Sequence, residues 1–246
     1  MDIGEGFAHD EDLLEFATSA NICCGAHAGS HELTGQTVEL CRRKGVRIGA
    51  HPGYPDRPHM GRRSMQVEEH RAYLDSIFRQ MRDFVSLARP AYIKPHGAFY
   101  NDTAVLLPEG WDSYDELLEP GNAFDPGGIF LSKIPGAGSL GMLLRVYRLP
   151  LMGLSGTSHE AIAGRANQPL IREGFADRTY EPDGTLMPRD RPGAVLKDPA
   201  LVRKQVLELA ERVDSICLHG DTPGCLEYAE TVVRALRDGG FEVRAA

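Results

Sequence analysis

A short apolar run that ends at a histidine occurs four times in this sequence, and this repetition limits the fold more than any other feature. The histidines are His27, His51, His96 and His219, and each lies in a turn that contains glycine or proline. A partial version of the pattern occupies residues 2–5. The strand carboxyl ends of a barrel of alternating strands and helices converge on one face, where such folds keep their chemistry. We therefore expect these side chains to be neighbours in space.

Apolar runs alternate with helical patterns along the chain, which predicts an α/β fold with a mainly parallel sheet. The strand-like runs are Asp2–Ile3, Asn21–Cys24, Arg47–Ala50, Tyr92–Lys94, Leu151–Leu154, Leu170–Arg172 and Ser215–Leu218. Helical patterns cover His31–Lys44, between a capping Ser30 and Gly45, and Val67–Ala88. Two later helices are expected to begin at Asp198-Pro199 and Thr222-Pro223, where a capping side chain precedes a proline.

The length of 246 residues suits one barrel, so we expect a single domain over residues 1–246. An irregular excursion at about residues 103–135 is rich in glycine, proline and aromatic residues and contains the only tryptophan, Trp111. A connection of this length is typical of a lid, a binding loop or a partner surface. We interpret Trp111 as a candidate anchor for a partner protein.

Composition and charge exclude several classes of function. The formal net charge is -8 with no basic block, which argues against nucleic acid or an anionic membrane as a partner. No apolar stretch approaches the roughly 18–20 residues of a membrane span, and the start lacks the pattern of a signal peptide. None of the five cysteines forms a CxxC pair, which favours a reducing, cytoplasmic location.

The histidines and nearby carboxylates are the candidate catalytic residues. An imidazole can act as a general base near neutral pH, as an oxyanion donor or as a metal ligand. No metal-binding histidine pair lies within a predicted helix, so the sequence leaves the metal question open. Carboxylates occupy the same turns, and His219-Gly220-Asp221 keeps an acid and an imidazole within one turn. The candidate catalytic set is Asp2, Glu5, His27, His51, His96, His219 and Asp221.

Cationic side chains suggest where a substrate is held. Lys94 is expected to point inward from a strand, where an unpaired ammonium is costly and needs an anion from substrate or protein. Arg62, Arg178 and Arg189 lie in loops, where arginine suits bidentate contact with carboxylate or phosphate. The sequence contains no phosphate loop of the GxxxxGK[ST] type and no GxSxG elbow. His9 and His159 are expected to be ordinary surface residues.

Six ordered motifs cover nearly the whole chain and resemble the LamB/YcsF family. They are Asp2-Ile3-Gly4-Glu5, Gly25-Ala26-His27-Ala28-Gly29, Gly49-Ala50-His51-Pro52-Gly53-Tyr54-Pro55-Asp56, Lys94-Pro95-His96-Gly97-Ala98-Phe99-Tyr100-Asn101, Phe175-Ala176-Asp177-Arg178 and His219-Gly220-Asp221-Thr222-Pro223. The resemblance implies an irregular seven-stranded (β/α) barrel similar to the glycoside hydrolase/deacetylase superfamily. The candidate substrate-binding residues inside or beside these motifs are Lys94, Arg62, Tyr100, Asp177 and Arg178.

The resemblance also implies an activity. Members of the family cleave 5-oxoproline (pyroglutamate) to glutamate with coupled ATP hydrolysis, and the implied partners are the 5-oxoprolinase subunits B and C. ATP, with Mg²⁺, is the implied cofactor, and the missing phosphate loop leaves open whether this chain or its partners bind it. We expect phosphorylation of the amide oxygen to make the carbonyl carbon electrophilic, after which a histidine or carboxylate activates water.

Two alternatives remain open at this level. One is a stand-alone metal-dependent amide or ester hydrolase of the deacetylase type, with a divalent ion on Asp2, His27, His51 or His96. The other is a non-catalytic scaffold subunit that completes a partner's site. The chain also departs from the family pattern, because its first strand is shorter than usual and Ser30 replaces a common aspartate. We therefore expect native residues upstream of Met1.

Overall fold

The strands of the computed structural model form two parallel three-stranded sheets, and the structure describes residues 1–66, 69–106 and 136–245. The first sheet contains β1 (Asp2–Ile3), β2 (Ser19–Cys23) and β3 (Arg47–His51) in that order. The second contains β4 (Leu151–Gly153), β5 (Leu170–Phe175) and β6 (Ser215–Cys217). Every pairing is parallel, so the predicted α/β fold with parallel strands is confirmed. Trp111 and most of the predicted excursion lie outside the described residues.

Single-residue parallel bridges join the two sheets at both edges. Ile93 pairs with Ala50 of β3 on one side and with Leu151 of β4 on the other. Asp2 of β1 pairs with His219, just after β6. The predicted strand Tyr92–Lys94 is thus reduced to one bridging residue. Prolines at 90 and 95 flank it, and a proline has no backbone N–H with which to extend a ladder.

Helices follow the strands along the chain. They are α1 (Asp10–Leu13), α2 (His31–Lys44), α3 (His70–Leu87), α4 (Gly97–Thr103), α5 (Ala137–Tyr147), α6 (Ser158–Arg165), α7 (Pro199–Ala210) and α8 (Cys225–Asp238), with a 3-10 turn at Arg57–His59. Helix α2 has the predicted bounds because the Ser30 hydroxyl accepts the N–H of Leu33 and Gly45 adopts the left-handed conformation. The predicted start of α3 at Val67 lies outside the described residues.

The late helices confirm one predicted start and correct the other. Helix α7 begins at Pro199, where Asp198 accepts the N–H of Ala200 as a capping residue. Helix α8 begins at Cys225 rather than at Pro223, and Gly224 precedes it with a φ of 80°. The Thr222 hydroxyl donates to Asp177 at 2.7 Å instead of capping a helix. A tertiary hydrogen bond therefore replaces the expected local one.

Buried apolar side chains lie between the strands and the helices that cover them. The largest cluster joins β1, β2 and β3 to α2, α3 and α5 through residues such as Ile22, Met81 and Leu140. A second cluster packs α7 and α8 together through Val202 and Ala229. Within the described ranges, no helix has the length and apolar character to cross a membrane. The loops at the carboxyl ends of the strands are left free to build a site.

Candidate functional site

A cavity of about 890 Å³ lies at the carboxyl ends of the strands. Nine of the residues singled out from sequence line it, and they come from strands of the fold and from the segments that follow strands: Asp2, His51, Arg62, Lys94, His96, Tyr100, Arg178, Arg189 and His219. Glu5, His27, Asp177 and Asp221 do not line the cavity but contact residues that do. The expectation that the four histidines lie near one another agrees with this geometry.

Lys94 lines the cavity and is almost fully buried. Its ammonium is 2.8 Å from Asp2 Oδ1 and 2.8 Å from Glu173 Oε1. Burial opposes its charge, but the negative groups around it, Asp2 foremost, hold the pKa of Lys94 well above its ordinary value. Burial likewise opposes ionisation of Asp2, yet Lys94 and His51 hold the Asp2 pKa well below its ordinary value. The anion that Lys94 requires is thus supplied by the protein.

His219 is oriented by a buried carboxylate. Asp177 is fully buried, and its Oδ1 accepts a hydrogen bond from Nδ1 of His219 at 2.9 Å. The neighbouring hydroxyl of Thr222 donates to Oδ2. Burial favours the neutral acid, but His219 outweighs it and lowers the pKa of Asp177. With the proton on Nδ1, Nε2 of His219 carries a lone pair and lies 3.8 Å from Asp2 Oδ2.

Three other histidines and one glutamate form an imidazole cluster, consisting of Glu5, His27, His51 and His96. One ligand atom from each lies within 4.8 Å of the others. The rings of His27 and His96 stack at 3.7 Å between centroids, and Nδ1 of His96 lies 2.9 Å from Nε2 of His51. Burial and the two neighbouring imidazoles hold the pKa of His96 well below its ordinary value. Cys23 and Glu5 outweigh burial and raise the pKa of His27 to about 9.

Two glycines explain why the stacked rings fit beneath the loop after β3. A Cβ at Gly53 would lie 2.6 Å from Nδ1 of His27, and a Cβ at Gly61 would lie 2.8 Å from Cβ of His27. Both distances are shorter than atoms tolerate, and Gly61 also has a φ of 64°. The loop can therefore approach the imidazoles only because it has no side chain at these positions.

Three guanidinium groups and one carboxylate form an arginine group, consisting of Arg62, Arg178, Arg189 and Asp221. Arg62 and Arg189 each reach one Asp221 oxygen at 2.6 Å. Burial opposes ionisation of Asp221, but these arginines and His219 lower its pKa. Arg178 is buried and donates to the carbonyls of Ala194 and Met187. Burial and the charge of Arg189 lower the pKa of Arg178.

The arginine group carries more positive than negative charge. Among the described residues, no carboxylate lies within 4.0 Å of the Arg178 guanidinium, whereas Asp221 is shared by the two other arginines. Three cations therefore surround one anion beside the cavity. A buried guanidinium without an ionic partner is costly. The arrangement is suited to an anionic ligand that completes the charge balance.

Sequence reasoning missed Glu173 and misplaced His159. Glu173 lies within β5 on the strand face shared by Ile171 and Phe175, and a charge at an inward position of a buried strand was the available signal. His159 is fully buried rather than on the surface. Its Nδ1 accepts the N–H of Leu154, and its Nε2 lies 3.0 Å from the Thr103 hydroxyl. The ring can be buried because Leu154, five residues earlier, and Thr103, 56 residues earlier, satisfy both ring nitrogens.

The sequence predicted that Tyr100 and Asp177 both bind substrate, but the structure places the two residues differently. Tyr100 is on α4 and lines the cavity, and burial together with the nearby Glu173 raises its pKa well above the ordinary value. Asp177 does not line the cavity but is hydrogen-bonded to His219, which does. We therefore interpret Asp177 as a residue that positions His219.

Comparisons with known proteins agree with the motif pattern. The sequence model of the LamB/YcsF family matches residues 1–106 and 141–246. The 5-oxoprolinase A subunit of Pyrococcus furiosus is 34% identical, with 98% of this chain and 94% of that protein covered. Its counterpart in Streptomyces avermitilis is 36% identical, with 99% and 97% covered. The crystal structure of a lactam utilization protein from Thermus thermophilus is similar with a TM-score of 0.75, at 27% identity over 100% of this chain and 97% of that chain.

Proposed function

Because this chain belongs to the LamB/YcsF family, we propose that it is the A subunit of a 5-oxoprolinase, which opens 5-oxoproline to glutamate. Its relatives carry that name over nearly the full length of the chain. The observation that carries the proposal is the pair of His219 and Asp177, in which a buried carboxylate holds an imidazole with its free nitrogen at the cavity. This is the arrangement expected of a general base that activates water.

The proposed chemistry assigns distinct tasks to the groups on the cavity wall. Nε2 of His219 takes a proton from water as the oxygen attacks the carbonyl carbon of the lactam. The ring C–N bond then breaks, and the protonated His219 returns the proton to the departing nitrogen, which becomes the amine of glutamate. The acyl phosphate left at the carbon is hydrolysed by a second water to the glutamate carboxylate and inorganic phosphate. The Lys94 ammonium, held by Asp2 and Glu173, also lines the cavity and stabilises the negative charge of the phosphoryl group on the carbonyl oxygen.

The arginine group is proposed to hold the carboxylate of 5-oxoproline. Arg178 is buried at the cavity and lacks an ionic partner among the described residues, so an incoming carboxylate would supply the missing negative charge. Asp221 keeps the side chains of Arg62 and Arg189 beside it. We infer that Asp221 acts by positioning these two arginines.

ATP and the partner subunits complete the proposal. A five-membered lactam is an unstrained amide whose two ends stay close together, so opening it needs a driving force. The sequence has no phosphate loop, and we propose that subunits B and C bind ATP with Mg²⁺ and transfer its γ-phosphoryl group to the amide oxygen of 5-oxoproline, with release of ADP, before water attacks the carbon. The bridges through Ile93 and between Asp2 and His219 support a closed, irregular barrel of seven strands, similar to the deacetylase superfamily.

Reconstitution tests the proposed function. The purified chain, subunits B and C, and the mixture of all three are each given 5-oxoproline, ATP and Mg²⁺, and released glutamate and ADP are measured. We expect glutamate from the mixture alone, in a fixed ratio to ADP. Glutamate formed by the isolated chain without ATP would overturn the coupling. A mixture no more active than subunits B and C would overturn the assignment of this chain.

A further inference from the structure

Hydrogen bonds to backbone carbonyls fix the tautomers of two imidazoles in the cluster. Nδ1 of His51 lies 2.8 Å from the carbonyl oxygen of Lys94, and Nε2 of His96 lies 2.8 Å from that of Met60. A carbonyl oxygen only accepts, so each of these nitrogens carries the ring proton. The remaining nitrogens, Nε2 of His51 and Nδ1 of His96, then both present lone pairs, and they face each other at 2.9 Å.

Two facing lone pairs need a positive centre between or beside them. A proton shared by the rings would create a buried imidazolium next to the third ring, His27, which stacks on His96 at 3.7 Å. A metal ion would accept both lone pairs, and it would also bind neighbouring groups that a shared proton does not contact. Glu5 Oε1 lies 3.3 Å from Nε2 of His27 and 3.4 Å from Nδ1 of His96, and its side chain is 5% exposed.

The donor set and its surroundings match a transition-metal site. Three imidazole nitrogens and one carboxylate oxygen lie within 4.8 Å of one another, and that mixture suits Zn²⁺ and similar ions better than Mg²⁺. Ligating histidines usually donate their other N–H to a carbonyl or carboxylate, as His51 and His96 do. Asp2 lies beside this group, with Oδ1 2.8 Å from Lys94 Nζ and Oδ2 3.4 Å from Nε2 of His51.

We propose that Glu5, His27, His51 and His96 form a binding site for one divalent transition-metal ion beside the cavity. His51 and His96 line the cavity, so a bound ion would be reached from it. The inference concerns binding, and it stands whether or not the chain acts on a lactam. It differs from the metal site considered from sequence, which included Asp2 and omitted Glu5.

Calorimetric titration tests the site. Tag-free protein is stripped with chelator and titrated with ZnCl₂, and a second sample is titrated with MgCl₂. We expect one Zn²⁺ per chain with a dissociation constant below about 1 μM, a melting temperature raised by several degrees, and no comparable effect of Mg²⁺. The absence of both heat and a melting shift up to about 100 μM Zn²⁺ would overturn the proposal, as would equal binding of Mg²⁺.

Variants locate the bound ion. Glu5→Gln keeps the shape of the side chain and removes its charge, and His96→Gln removes a ring nitrogen. Each should weaken Zn²⁺ binding by about 100-fold or more, because one of four ligands is lost or neutralised. His59→Gln is the matched control, since His59 is exposed and paired with Asp56. Unchanged binding in both cluster variants, or an equal loss in His59→Gln, would show that zinc binds elsewhere and would overturn the site.

Discussion

The imidazole cluster and the arginine group contribute to one cavity but have opposite character. The first is deeply buried, and its orientation is fixed by carbonyl oxygens and by the close approach of Gly53 and Gly61. The second is partly exposed, and it holds three cations against a single carboxylate. One wall therefore offers electron pairs, and the other offers positive charge. Lys94, bound to Asp2 and Glu173, belongs to neither group and also lines the cavity.

This difference indicates a separate role for each wall. A rigid, dry wall can hold an atom in a defined place because its groups do not need to reorganise. A wall with surplus positive charge attracts an anion and gains from its arrival. The general base, His219, is linked to both regions, since its ring lies 3.8 Å from Asp2, which is 3.4 Å from His51, and it precedes Asp221 by two residues in the chain. The role of each region can be tested by substituting one residue at a time.

The largest effect is expected at His219. His219→Gln removes the free nitrogen that activates water, so turnover by the reconstituted enzyme should fall about 10²- to 10⁴-fold. Asp177→Asn should cost at least about tenfold, because the ring loses its fixed tautomer. Steady-state kinetics and a thermal melt measure both changes, with the exposed His9→Gln as control. Near-normal turnover in a folded His219→Gln enzyme would favour a scaffold role for the chain.

A large loss of stability is expected when Lys94 is substituted. Lys94→Met leaves the buried carboxylates of Asp2 and Glu173 without their cation, and the free energy of unfolding should fall by about 3–5 kcal/mol. Urea denaturation measures this change. Arg172→Ala removes an exposed pair with Asp214 and should cost less than about 1 kcal/mol. Equal losses in the two variants would show that the central ion pairs are not structural.

A smaller effect is expected in the arginine group. Arg178→Lys keeps one positive charge but cannot maintain both carbonyl contacts and still reach an anion. We expect KM for 5-oxoproline to rise about tenfold while kcat changes little. Arg82→Lys, at an exposed helical position, should leave KM unchanged. A fall in kcat with an unchanged KM would contradict substrate anchoring and would place Arg178 in the chemical step.

The smallest effect, a change in the pH dependence of stability, is expected at His159, which belongs to neither wall. Burial lowers the pKa of His159 to about 3 in the folded chain, against an ordinary value of 6.5. Its contribution to stability is therefore complete above pH 6.5 and is lost as the pH falls. Between about pH 7.5 and about pH 5.5 the free energy of unfolding should decrease by about 1 kcal/mol through this residue. His159→Asn should remove that part of the pH dependence, and an unchanged pH profile would contradict the assignment.

The sequence predicted correctly the bounds of elements whose ends are set by residues adjacent to them in the chain. Helix α2 has its predicted bounds because Ser30 and Gly45 act on the helix ends directly. Helix α8 does not, because Thr222 forms a contact with Asp177, 45 residues away. The parallel strands followed from apolar runs, whereas the single-residue bridge at Ile93 depends on neighbours from two other strands.

The same distinction applies to the site. Histidines at strand ends could be singled out because the turn motifs mark them. Glu173 was missed because its role depends on Lys94, which is distant in sequence and near in space. His159 was misjudged because a histidine within a short helix carries no sign of the Thr103 and Leu154 partners that bury it. The sequence thus identified the types of residue that form the site, but it did not identify which of them pair with one another across the fold.

The pairing of Asp2 with His219 has a consequence for synthesis on the ribosome. These residues are among the earliest and latest parts of the described chain to emerge, and the cavity needs both. Until Glu173 is made, Lys94 has only one of its two carboxylates. Contacts between such distant segments form slowly because a long loop must close first. The nascent chain can therefore bury much of its first half before any functional site exists, and the site forms late in folding.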